Sequence, residues 1–171
     1  MTEQRYPRRM PSRTADERTM LREWLDFHRA TFARKLQGLT PEQLALRAAE
    51  PSAISLLGLL QHHAEGERWM FGCLFTGQPD VPYFSPVDFG DMTGADEAVV
   101  AASWAAWEEA CERSRQIEAA VSLDDLSAEP GPWENEPVSM RWLMVHVIEE
   151  YARHNGHADL LRERIDGNSG W

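Results

Sequence analysis

Residues 141–167 read RWLMVHVIEEYARHNGHADLLRERIDG, and this stretch decides the fold. Apolar residues return at Met140, Leu143, Val147, Tyr151, Ala158 and Leu161, the three-and-four spacing of a helix that buries one face. The pattern predicts a helix over about residues 137–164, with Pro137 near its first position and Asp166, Gly167 and Asn168 ending it. Glu150 and His154 fall on or beside the apolar stripe. An unpaired carboxylate buried there costs several kcal/mol or takes up a proton, so something should compensate it. Gly156 sits inside the same pattern, where close approach of a neighbouring helix would explain it.

Working outward, three more segments carry helical periodicity, over about residues 14–37, 52–76 and 95–119. In the first, Leu21, Leu25, His28, Phe32 and Leu36 form the stripe, and Gly38 is a stop. Thr40, Pro41 and Glu42 start a short turn or helix. The second has Leu56, Leu59, Leu60, Met70, Phe71 and Leu74 on its apolar face, and Gly77 and Pro79 end it. The third has Val99, Trp104, Trp107, Cys111 and Ile117. Nothing alternates as a strand. Residues 77–94 and about 122–136 are rich in Pro, Gly and Asp and read as loops. Four long helices in one chain of 171 residues predict an all-α, single-domain four-helix bundle. Residues 1–13 form a basic, flexible arm, residues 14–167 the bundle and residues 168–171 a tail.

Composition narrows the function. Hydrophobic residues make up 43% and charged residues 26%, which suits a globular domain. The net charge of -11 excludes nucleic acid as the natural partner and disfavours anionic membranes, because both need clustered cations. No apolar run approaches the roughly 20 residues of a membrane span. Cys73 and Cys111 are in no metal spacing and read as small hydrophobes of a reduced, cytoplasmic protein. Trp69, Trp104, Trp107, Trp133 and Trp142 read as packing residues.

A divalent metal is one answer to the polar residues of the last helix. Glu150 and His154 are four apart, one turn on one face, and can converge on one ion. The same spacing also suits a plain interhelical hydrogen bond. His146 and His157 lie near the same seam. A further ligand should come from residues 55–69, SLLGLLQHHAEGERW. His62 is preferred over His63, because Gly58 and Gly66, four residues either side, leave space beside its imidazole. Two imidazoles and one carboxylate are a common set for catalytic zinc, with a position left for water or substrate. Nickel, iron or manganese are compatible with the same donors. His28 is read as a packed core residue or as a group facing the same cavity, and Arg153 as part of a solvated face or as a contact for an anionic substrate.

The phrases HVIEEYARHNGHADLLRERIDG (146–167) and SLLGLLQHHAEGERWMF (55–71) resemble the DinB superfamily, most of all its actinobacterial branch. FHRATFARKLQGLTPEQL (27–44) and the Trp-rich third helix fit as well, so the likeness runs from about Thr14 to Gly167. The resemblance implies a four-helix bundle with an up-down-down-up course, often a homodimer. It also implies a metal held by one His on the second helix and by two residues four apart on the fourth. The first of that pair is usually His, whereas here it is Glu150. In this the chain resembles the mycothiol-dependent maleylpyruvate isomerases, whose zinc set is His, Glu and His, carried over as His62, Glu150 and His154. By the same resemblance, the function would be a metal-dependent S-transferase or detoxification enzyme using mycothiol or a similar small thiol against a small electrophile. His28, His63 or His146 would then be nearby proton carriers. Maleylpyruvate isomerisation itself is not expected, because the chain ends at Trp171 just past the bundle. A metal-dependent hydrolase ranks lower, for want of an oxyanion donor. A stress-linked, non-enzymatic metal-binding bundle is the third reading.

Overall fold

The computed structural model describes residues 6–84, 92, 94–131 and 134–168. Trp133 and the tail beyond Asn168 lie outside the described residues, as do the first five residues of the arm. The described chain is a helical bundle: α1 (Glu17–Leu36), α2 (Pro41–Ala45), α3 (Leu56–Glu67) continued by a π-helical segment (Arg68–Phe75), α4 (Glu97–Ala120) and α5 (Met140–Asp166). Among the described residues the sole β-type pairing is an isolated bridge between Leu126 and Ser139. No helix among them is long and apolar enough to cross a membrane.

Side-chain caps set the helix starts. The carboxylate of Asp16 accepts from the Thr19 amide, Ser55 from Gly58, Asp96 from Val99 and Ser139 from Trp142. Each satisfies one of the amide donors that a helix N-terminus leaves free. Thr40 and Gln43 close a reciprocal capping box on α2. The observed α5 begins three residues later than Pro137, because Val138 is held extended. Its carbonyl accepts from the Ser127 amide at 2.8 Å, and its own amide donates to Ser127 Oγ at 3.0 Å. Gly167 ends α5 at φ +79°, a left-handed conformation that costs a residue with Cβ. The expected second helix starts at Leu56 rather than about 52, and widens to π-type turns from Arg68 onward.

α1 packs on α5 and α3 on α4, while α3 also packs against α5. Phe32, Leu59, Leu60, Met140, Leu143, Met144 and Tyr151 are fully buried between them. Each such leucine contributes about 1.5–3 kcal/mol relative to exposure. Polar pairs mark how the helices sit. Arg141 Nε donates to Glu17 at 2.7 Å, and Lys35 pairs with Asp159. Arg18 meets Glu118 at 3.3 Å, and Arg115 meets Asp26 at 3.0 Å. Gln61 donates to Ser103 at 2.9 Å. Before α1, Tyr6 stacks on Trp104 with ring centroids 5.5 Å apart, and the Arg8 guanidinium lies over Phe27. Both cysteines are free and buried.

Gly156 corrects an expectation. A Cβ added there meets nothing within 4 Å, so no neighbouring helix requires a glycine. Gly156→Ala is expected to stabilise the fold by about 1 kcal/mol, the helix-propensity difference, read by urea denaturation.

Candidate metal centre

Three side chains from two helices meet at the α3–α5 contact. His62 comes from the second turn of α3; Glu150 and His154 sit one turn apart in the middle of α5. His62 Nε2 lies 3.7 Å and His154 Nε2 3.5 Å from Glu150 Oε2. One ligand atom from each of the three lies within 4.8 Å of the others. The two imidazole rings meet edge to face, centroids 4.8 Å apart. His154 is buried, while His62 and Glu150 keep about a quarter of their side chains exposed.

The electrostatics keep these imidazoles neutral. Burial, with the neighbouring His62 and His157, pushes the His154 pKa down to about 4. Burial also lowers His62, against the opposing pull of the Glu150 carboxylate. A neutral imidazole keeps the lone pair that a metal needs. His154 Nδ1 lies 3.2 Å from His157 Nδ1, so its other nitrogen is the one that faces Glu150. A hydrogen bond at the far nitrogen is the usual way of orienting a metal-binding histidine. Two neutral imidazoles and one carboxylate within reach of a common point fit a divalent ion.

The site opens on a cavity of about 330 Å³. His62, Glu150, His63, His146 and Arg153 all line it. So does Gly66, where an added Cβ would meet open space, as the spacing around His62 suggested. His146 stacks on Trp142, ring centroids 5.0 Å apart. Arg153 Nε donates to Glu149 at 3.0 Å, which ties its guanidinium to the rim. His28 does not line this cavity. It lies half-buried among Trp24 and Phe27, with Asn155 Nδ2 donating to its carbonyl at 3.2 Å. A larger depression of about 900 Å³, beside α2 and the start of α4, brings no histidine or cysteine to its walls.

Beneath the three residues is a polar layer that sequence reasoning missed. Glu67, 1% exposed, lines the cavity floor. Arg29 donates to both of its oxygens at 2.7 Å. Tyr151 O–H donates to Glu67 Oε1 at 3.0 Å and accepts from Trp107 Nε1 at 2.8 Å. His63 lies flat on Tyr151, ring centroids 3.9 Å apart. The available signal was a charge within an apolar stripe: Arg29 stands between Leu25 and Phe32 at spacings of four and three.

The family model described as Mycothiol-S-transferase, within the DinB-like superfamily, matches residues 20–167. That span contains His62, Glu150 and His154. No curated protein matches the chain.

Proposed function

We propose, from the premise that the chain belongs to the mycothiol S-transferase family, that it is a metal-dependent enzyme joining the sulfur of a mycothiol-type thiol to a small electrophile. The observation that carries the metal dependence is the convergence of His62, Glu150 and His154, the first two of which line a cavity. In the reaction the thiol gives up its proton and a sulfur–carbon bond forms. In addition to a double bond, the neighbouring carbon takes a proton; in substitution, the leaving group departs with the electron pair of the bond that breaks.

His62, Glu150 and His154 would hold the ion, zinc by the chemistry of the set, with nickel, iron or manganese compatible. Bound zinc lowers the pKa of a coordinating thiol, so that thiolate is present at neutral pH. The protein's own residues do the rest. His157 orients His154 through its Nδ1. Glu149 fixes Arg153 at the rim. His146, on the cavity wall, would carry the released proton away.

We read the course of the four long helices as up-down-down-up. The pairings Arg141–Glu17 and Lys35–Asp159 support α1 and α5 running the same way. Gln61–Ser103 and Glu67–Cys111 support the same for α3 and α4, and Arg18–Glu118 with Arg115–Asp26 supports α4 running opposite to α1. A cytoplasmic setting and a homodimer are carried forward from the cysteine and family readings; light scattering on the purified protein tests the dimer.

The test of function is direct. Purified protein is assayed for bound metal by elemental analysis and for consumption of mycothiol with an uncharged electrophile such as monochlorobimane. About one metal per chain and catalysed conjugation are expected. Conjugation that persists unchanged after complete metal removal sinks the metal-dependent reading.

A further inference from the structure

We propose that His63, on the cavity wall, contacts the thiol substrate: its buried Nε2, which the folded chain leaves without a hydrogen-bond partner, takes up an uncharged polar group next to the reacting sulfur once a small shift of the ring opens it to the cavity. This rests on the thiol-transfer reading above. His63 is 4% exposed, and its ring is enclosed by aromatic surfaces. It stacks on Tyr151 with an interplanar angle of 1°, and meets Phe32 edge to face at 4.6 Å between centroids. A phenylalanine ring would make both contacts without bringing a polar nitrogen. A buried polar atom with no partner opposes folding and in native proteins calls for an explanation.

The cavity supplies one. His63 lines it, with its ring centroid 5.6 Å from that of His62 and 5.2 Å from that of His154. A thiol in this cavity whose sulfur reaches His62 brings its next few atoms beside His63. In a cysteine-derived thiol such as mycothiol those atoms include an amide, only a few bonds from the sulfur. Nε2 of a neutral imidazole donates or accepts according to the tautomer, and an amide offers a partner for either. Local order bought with an unsatisfied nitrogen is the pattern expected where function overrides stability.

The experiment compares zinc-loaded wild type with zinc-loaded His63→Phe. Zinc content, melting temperature and mycothiol affinity by calorimetry are read for both. The Phe variant is expected to keep its zinc, to melt no lower than wild type and to bind mycothiol about tenfold more weakly, the scale of one lost hydrogen bond. If wild type binds mycothiol and His63→Phe binds it equally well, the inference fails while the thiol-transfer reading stands. Loss of zinc from the Phe variant also overturns it, since His63 would then act through the metal set. A wild type that holds zinc but no mycothiol overturns both. Wild type alone gives a second measurement, independent of whether the variant folds. It should prefer the amide-bearing thiol N-acetylcysteamine over 2-mercaptoethanol by about tenfold; equal affinities overturn the inference.

Discussion

His154→Ala is expected to leave purification with almost no bound metal and with no thiol conjugation. His154 is the most buried of the three converging residues, and its pKa near 4 keeps it neutral and available at any physiological pH. Removing it leaves one imidazole and one carboxylate, too few donors to hold a divalent ion against competition from water. The effect on stability separates the site from the fold. An ion that binds only the folded chain stabilises it by mass action, by about 2.7 kcal/mol at a hundredfold excess over Kd. Chelator should therefore lower the melting temperature of the wild type and leave that of His154→Ala unchanged. Glu150→Gln is the finer probe, because it keeps the shape and removes the charge. It is expected to weaken metal binding strongly while melting close to metal-free wild type, since Glu150 is partly exposed and lies 3.5–3.7 Å from its imidazole neighbours. Unchanged metal content in either variant would show that the ion, if present, sits elsewhere.

Arg29→Met should be the most damaging single change outside the site. Arg29 is 3% exposed, and burial works against its charge, but the Glu67 carboxylate holds its pKa well above the ordinary value. Removing one partner of a buried pair leaves the other charge without compensation and costs about 3–5 kcal/mol. In a domain of this size that is a fall of roughly 10 °C in Tm. Tyr151 O–H and the Cys111 thiol still face Glu67, at 3.0 and 3.7 Å, but neither neutralises it. The double variant Arg29→Met, Glu67→Leu removes both charges and is expected to recover most of the loss. A single variant within about 1 kcal/mol of wild type would mean that the pair contributes little to holding the bundle together. The prediction bears on function, because the same layer supports His63 and the cavity floor.

The sequence by itself determined the helices and the family. Apolar spacing located all four long segments, and Ser139, Asp96 and Gly167 end or begin them through contacts within a few residues of themselves. The Glu150–His154 pair was legible for the same reason: four residues along a helix is one turn, whatever packs outside it. Where local reading erred, a more distant partner intervened. Pro137 stays outside α5 because Val138 bonds to Ser127, eleven residues away. Gly156 lacks the close neighbour its place in the helix suggested.

Only the tertiary structure decided which polar groups meet. Arg29 and Glu67 are 38 residues apart, and Trp107 and Tyr151 are 44 apart. The adjacent histidines part company in the same way. His62 turns to Glu150 and His154, while His63 is enclosed against Tyr151 and Phe32. Spacing along one helix gives the angle between its side chains but not the rotation of that helix against its neighbours. That rotation is set by the packing of all the buried faces at once, and it brings His62 and Glu150 to the same cavity as Glu67 of the buried ion pair.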